Sequence, residues 1–368
     1  MRVHFVGGFL GSGKTTAIVN ACLFLRERGV RTGIVTNDQG RLQVDALFAR
    51  SAGLPAVEVS DGCFCCRYDD FDERVAALAE RERPDVIFAE SVGSCADLVA
   101  TVVRPFAAFR ENYGAPSLLS VFADSRLLLA WLSGRTLPFS EDVLYVFDRQ
   151  LEEADLLVLN KRDLLKGEER GALRAAVAAA YPDKPCLEYC AADRLEAALW
   201  LELLDPMSPP AARPALAIDY TRYGRGEREL SWLDESLVIK DAGGIASDGT
   251  RCRAAVLALV RGLARRLDGA AVGHVKFFVS VPGLDAKLGM TASDILGEGF
   301  DPGRDLPPFV ARRATVALNA RVQTDPATLA AAVAAAINDA RRAASVSITE
   351  EDRSAFRPGP PLPLHRLA

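Results

Sequence analysis

Four short stretches of this sequence combine residue types at spacings that do chemistry. The first is Gly8-Phe9-Leu10-Gly11-Ser12-Gly13-Lys14-Thr15, followed by Thr16. It fits G-x-x-x-x-G-K-[ST], lying between a strand-like run and a helical one. There the glycines let backbone N–H groups converge on phosphate oxygens and the helix start adds positive potential. The lysine contacts the β- and γ-phosphates and the hydroxyl ligates Mg²⁺. Gly8, Gly11, Ser12, Gly13, Lys14, Thr15 and Thr16 are therefore expected on a nucleotide. The second is Asn160-Lys161-Arg162-Asp163, after an apolar run at 156–159. In N-K-x-D the aspartate accepts from guanine N1–H and N2–H₂, donors that adenine lacks, so Asn160, Lys161 and Asp163 point to GTP. Ala191 and its neighbours are expected at the other edge of the base.

The third stretch is Glu90-Ser91-Val92-Gly93. Glu90, ending a strand beside the phosphate loop, can hold a Mg²⁺-bound water, and Gly93 can turn an N–H toward the γ-phosphate. Asp124, ending the next strand, ranks second, with a helix cap as its alternative reading. No residue stands out as a strong general base; Glu90 or Asp38 orients the water, with Lys14 completing the catalytic set. The fourth is Gly62-Cys63-Phe64-Cys65-Cys66. Adjacent thiolates repel unless a cation neutralises them, so Cys63, Cys65 and Cys66 suit a soft ion such as Zn²⁺ or Co²⁺ and leave one coordination position open. A redox dithiol or plain burial are the alternatives. Cys95, five residues beyond Glu90, could complete a four-thiolate site when GTP is bound; a small buried residue at a helix start is the other reading. Cys186 and Cys190 flank a strand and are not expected to share a metal.

The elements that must position these residues follow from apolar periodicity. Runs at 2–6, 31–36, 86–89, 118–123, 156–159 and 186–189 read as strands covered on both faces, separated by helical stretches such as 14–28 and 168–180. Strand–helix alternation implies a mostly parallel sheet of the α/β class, here a phosphate-loop NTPase domain over 1–204. Residues 205–214 hold four prolines, and 205–226 reads as a linker. A smaller α+β domain is expected over 227–350. Its strands lie at 231–239, 274–280, 313–322 and 345–348, with helices at 253–267 and from Pro326, the latter capped by Asp325. The order βαββαβ suggests a ferredoxin-like fold. A Pro-rich, extended tail occupies 351–368.

Composition narrows the function classes. With 368 residues, 49% hydrophobic and 25% charged, the chain can bury two cores and is not fibrous or disordered. The net charge of −5 argues against non-specific nucleic-acid binding. No apolar run reaches the ~20 residues of a membrane span, and no secretory signal is read, so the cytoplasm is expected. Eight cysteines against three histidines make any metal site lean on thiolates and carboxylates.

Taken together and in this order, residues 7–16 (GGFLGSGKTT), 61–66 (DGCFCC), 90–93 (ESVG) and 159–164 (LNKRDL) resemble the CobW-type GTPases, relatives of the nickel-inserting GTPases of urease and hydrogenase maturation. The resemblance covers about the first 200 residues. It implies a slow GTPase, using GTP and Mg²⁺, that serves as a metallochaperone or metal-cofactor assembly factor for a client metalloprotein. In such families metal and nucleotide binding are coupled, and nucleotide state often controls homodimerisation or client docking. The alternative is a GTP-driven remodelling factor for a corrinoid or other cofactor protein, with structural cysteines. The sequence departs from the family where an Asn-Glu-Phe-Gly-Glu stretch is usual: it has Thr36-Asn37-Asp38-Gln39-Gly40-Arg41, keeping only Asp38 as an acid.

Overall fold

The computed structural model describes residues 1–40, 42–110, 118–204, 215–243, 248–295 and 300–367. Arg41 and the proline stretch 205–214 read as linker lie outside them. The chain divides into two compact units. One comprises residues 1–39, 52–227 and 360–368; the other comprises 40–51 and 228–359.

The first unit is built on seven strands: β1 (Arg2–Gly7), β2 (Thr32–Asn37), β3 (Ala56–Val59), β4 (Val86–Glu90), β5 (Leu119–Asp124), β6 (Leu156–Asn160) and β7 (Cys186–Glu188). Their order is β3-β2-β4-β1-β5-β6-β7, and every pair is parallel. Residues of β2, β4, β5 and β6 are buried throughout, which is why each carries an apolar stretch rather than a polar–apolar alternation. Helices α1 (Lys14–Arg26) and, further along, Tyr68–Glu82 belong to this unit. Trp200 is fully buried against Phe88 and Phe122, and its indole N–H donates to Ser120 Oγ at 3.1 Å. The strand order reverses around β1, so the carboxyl ends of β4, β1 and β5 open a crevice of the kind that takes ligands in open α/β sheets. Residues 220–226, read as linker, instead belong to a helix, Tyr220–Glu229.

The second unit is an antiparallel sheet of β8 (Leu230–Asp241), β9 (Ala271–Val281), β10 (Leu284–Thr291), β11 (Arg313–Gln323) and β12 (Val346–Phe356), ordered β10-β9-β11-β8-β12. Without β10 the connectivity is the expected pair of split βαβ units; β10 is an added hairpin strand on the edge. Helices Arg251–Arg266 and Pro326–Ala344 cover one face through Val256, Leu259, Val260, Leu263, Leu329, Val333 and Ile337, all buried. Asp325 caps the latter helix by accepting the Thr328 N–H at 2.9 Å, with Pro326 at the first helical position. Among the described residues no helix is long and apolar enough to cross a membrane.

Candidate functional site

β1 delivers the chain into a loop with three left-handed glycines, Gly8 (φ 126°), Gly11 (φ 71°) and Gly13 (φ 90°). At two of them no side chain fits. A Cβ on Gly8 would lie 2.2 Å from the Phe122 carbonyl oxygen, and one on Gly13 would lie 2.3 Å from Asn160 Nδ2. Lys14 Nζ folds back to donate to the Gly8 and Phe9 carbonyls, at 2.7 and 3.3 Å. Thr15 Oγ1 donates to Glu90 Oε1 at 2.8 Å, bringing together the two side chains expected around Mg²⁺. The buried Ser12 hydroxyl has no partner among the described residues. A glycine cradle, a buried ammonium, an unsatisfied hydroxyl and a hydroxyl–carboxylate pair form a donor set that fits a Mg²⁺–polyphosphate.

Gly93 packs so closely on the same loop that a Cβ there would sit 3.0 Å from Leu10 N and Cα. Gln150 Nε2 holds this segment by donating to the carbonyls of Gly93 and Cys95, at 3.0 and 2.8 Å. The helix Tyr220–Glu229 braces it further. Tyr223 Oη accepts the Ala96 N–H at 3.0 Å, and Ser94 Oγ donates to Glu227 Oε1 at 2.9 Å. Asp38, at the end of β2, is buried and donates its N–H to Val59 O at 3.3 Å. Asp124 turns out to be occupied: it caps the helix Ser125–Leu132 and pairs with Lys161 Nζ at 2.7 Å.

At the far end of the crevice Asn160 bridges two loops. Its Nδ2 donates to Ser12 O at 2.6 Å and its Oδ1 accepts the Ala191 N–H at 2.8 Å. Lys161 is left-handed (φ 61°) and Asp163 is exposed. Asn20 donates to Ala191 O at 2.7 Å, and Glu196 accepts the Cys190 N–H at 2.7 Å while pairing with Arg162. Asn20 and Glu196 lie outside any motif, so no sequence signal marks them.

The cysteines converge on a tight turn in which Cys66 and Arg67 both donate N–H to Cys63 O, at 3.0 and 2.9 Å. The Sγ separations are 2.9 Å for Cys63–Cys65, 3.2 Å for Cys63–Cys66 and 3.8 Å for Cys65–Cys66. Cys63, Cys65 and Cys95 are buried and Cys66 is partly exposed. Hydrogen bonds from Cys65, Cys66 and Cys95 hold the Cys63 thiol well below its ordinary range. The same contacts, with burial, push Cys65 and Cys95 well above theirs, and hydrogen bonding to Cys63 pushes Cys66 up to about 11. Cys63 is thus the thiol that gives up its proton most readily, and its three neighbours resist doing so without a cation. A soft divalent ion would let the others deprotonate, and the donor set fits one. Among the described residues these three cysteines are the one group close enough to chelate jointly; Cys95 joins through Cys63. Cys186 is exposed and Cys190 is buried beside Asp163.

Comparison with known proteins finds relatives of the nucleotide-binding region. The description "CobW/HypB/UreG, nucleotide-binding domain" matches residues 2–188. The chain is 30% identical over 218 residues to a protein named zinc chaperone CobW from Sinorhizobium sp, covering 54% of this chain and 61% of that one. It is 28% identical over 181 residues to zinc chaperone YeiR of Escherichia coli K12, covering 47% and 50%. The matched region thus spans about half to three-fifths of those relatives. Among solved structures, the Zn(II)-bound YjiA GTPase of E. coli superposes with a TM-score of 0.35 at 12% identity, covering 91% of this chain and 98% of that one.

Proposed function

The chain belongs to the CobW/HypB/UreG family of nucleotide-binding domains, and from that premise we propose that it is a slow, GTP-hydrolysing metallochaperone. Its cargo is a thiolate-bound transition metal, Zn²⁺ or Co²⁺ in first place, handed to a client metalloprotein in the cytoplasm, where free thiols stay reduced. The observation that carries the reading is the position of Cys95. Two residues after Gly93, which packs on the phosphate loop, Cys95 reaches the Cys63 thiol. A change in that segment is felt at the thiolates directly.

In this reading Lys14 leaves the Gly8 and Phe9 carbonyls for the β- and γ-phosphates, while Thr15 and Glu90 hold Mg²⁺. Asn160 and Lys161 frame the base and Asp163 selects guanine. Held there, Mg²⁺ would supply charge neutralisation for the transferred phosphoryl group. Glu90 or Asp38 orients the attacking water, and closure of the segment after Glu90 draws Cys95, which already meets Cys63, into one ligand set with Cys65 and Cys66. Client binding stimulates hydrolysis, the segment relaxes, and the metal loses part of its ligand set. Homodimerisation in the GTP state would follow the family's habit.

The test is a Co²⁺ titration of reduced protein, followed by absorbance, with Mg²⁺ and either GDP or a non-hydrolysable GTP analogue. Thiolate-to-cobalt bands of tetrahedral type are expected, tighter with the GTP analogue and lost in Cys65→Ala. Bands indifferent to nucleotide, or none, would move the assignment to a GTP-driven remodelling factor for a corrinoid or other cofactor protein.

A further inference from the structure

The carboxy-terminal segment lies on the cysteine turn. After β12 the chain reads Pro358-Gly359-Pro360-Pro361-Leu362-Pro363-Leu364-His365-Arg366-Leu367, and residues 360–367 belong to the first unit. Between residues 360 and 364 the prolines at 360, 361 and 363 leave backbone N–H groups only at Leu362 and Leu364. Those two donate into the turn: Leu362 N–H to Cys66 Sγ at 3.1 Å and Leu364 N–H to Cys65 O at 2.9 Å. Their side chains point away, 72% and 53% exposed. The segment therefore engages the cysteines with its backbone, not by burying leucines. Leu362, which precedes Pro363, is held extended, so little ordering is needed to present its N–H.

The end of the segment is anchored to the nucleotide side. Arg366 Nε donates to Asp97 Oδ2 at 2.8 Å, and the same oxygen accepts from Tyr220 Oη at 2.6 Å. The Asp97 side chain is 1% exposed, and Asp97 is a non-glycine residue at φ 62°. It lies two positions beyond Cys95 and four beyond Gly93. Leu367 N–H donates to Ala100 O at 2.8 Å, Arg104 donates to Leu367 O at 3.0 Å, and His365 meets the rings of Tyr68 and Phe109 edge-on, each at 5.1 Å. Lifting Arg366 away while Asp97 stays in place would strand a buried carboxylate, a costly state. A shift of the segment 93–97 and release of the carboxy-terminal segment are thus favoured together. The left-handed backbone at Asp97 marks a place where strain can drive such a shift.

We propose that residues 360–367 are a strap that holds the Cys65 and Cys66 turn closed, and that Arg366 ties its release to the segment 93–97, so that nucleotide state sets thiol exposure. Leu362, Leu364 and Arg366 are positioning residues: they act on the metal through the cysteines. The proposal deepens the function given above and rests on it for the nucleotide dependence.

The test is iodoacetamide alkylation of the reduced chain of residues 1–368, free of transition metal, with Mg²⁺ and either GDP or a non-hydrolysable GTP analogue. Peptide mapping resolves Cys65 and Cys66, and exposed Cys186 serves as internal clock. In the wild type the rates at Cys65 and Cys66 should differ between the two nucleotides. In Arg366→Gln they should rise roughly tenfold or more, the scale of one lost charge-assisted bond, and become nucleotide-independent. Arg366→Lys should recover part of the dependence. Leu362→Pro, which deletes one N–H from an already extended residue, should raise the Cys66 rate more than the Cys65 rate. Rates within about twofold of wild type in Arg366→Gln and Leu362→Pro would overturn the strap, being smaller than one lost bond. Equal wild-type rates with the two nucleotides would overturn the coupling. Faster alkylation in the variants from a protein that gives no cobalt–thiolate bands would keep the strap and remove the metal reading. Bands with unmoved alkylation would do the reverse.

Discussion

Asn37 commits its whole side chain to the cysteine turn. Nδ2 donates to Val59 O at 3.1 Å and to Gly62 O at 2.7 Å, and Oδ1 accepts the Phe64 N–H at 2.8 Å. It ends β2, beside β4, whose Glu90 pairs in register with Thr36. One residue type thus connects the strand that carries Asp38 to the loop that carries the thiols. Substitution by Ala leaves a buried N–H and two carbonyls without these partners, a cost of about 1–3 kcal/mol for each group that stays unsatisfied. Asn37→Ala is expected to weaken Co²⁺ binding by roughly tenfold or more, while GTP affinity changes little, since no phosphate-loop contact is touched. A cobalt titration beside a nucleotide titration checks this. Unchanged cobalt affinity would show that the turn holds its shape without Asn37.

At the scale of elements, what could be read from the sequence depended on burial. Strands covered on both faces announce themselves as apolar runs, as β1, β4, β5 and β6 do. β3 does not, because Ala56-Val57-Glu58-Val59 is short and interrupted by a glutamate. β10 alternates Asp285, Lys287 and Gly289 with its buried residues and so reads as loop, while β12 continues through Glu350, Glu351 and Asp352, so that only its start, 345–348, reads as strand and its end falls in the expected tail. The phosphate loop was legible because only certain residues fit its backbone; Asn37 and the strap were not, because backbone partners leave little trace in side-chain type. The same limit applies to the polar face of the second sheet. There Asn319 on β11 stands opposite Asp234 on β8 and diagonal to His274 on β9. His274 Nε2 meets Asn319 Oδ1 at 2.7 Å, and Asn319 Nδ2 donates to Asp234 Oδ1 at 2.8 Å. Burial, reinforced by Lys276 and Arg321, holds the His274 pKa well below its ordinary value despite Asn319 and Asp45. The folded form therefore keeps His274 neutral, whereas the unfolded chain protonates it below pH ~6.5. Stability from this group is complete above that pH and falls as pH drops toward the folded pKa, by about 1.4 kcal/mol at pH 5.5. Urea unfolding at pH 7.5 and 5.5 should show that loss in the wild type and a loss smaller by this amount in His274→Gln. Equal pH dependence would mean that His274 titrates normally.

Across the whole molecule the chain passes between the two units four times, after residues 39, 51, 227 and 359. Residues 40–51 come from the middle of the nucleotide-binding region yet belong with the second sheet. In that unit Asp45, on α2 (Val44–Ser51), pairs with Lys276 on β9 and Lys287 on β10. Conversely, residues 215–227 and 360–367 complete the first unit after its sheet is finished. A cut at residue 204, where the sequence suggests a domain end, therefore removes supports that the nucleotide segment uses. Buried Ser94 loses Glu227, Ala96 N–H loses Tyr223, and Asp97 loses Tyr220. A chain of residues 1–227 retains all three, and both fragments lack the second sheet equally, so their difference isolates the added segment, which holds residues 220–227 of the helix Tyr220–Glu229. Three such bonds at about 1 kcal/mol net each should place the unfolding midpoint of 1–227 with Mg²⁺–GDP roughly 6–12 °C above that of 1–204. Differential scanning calorimetry on the two fragments measures it. Coincident midpoints would mean that the segment 93–97 supports itself and that the helix serves only to carry the chain onward to β8.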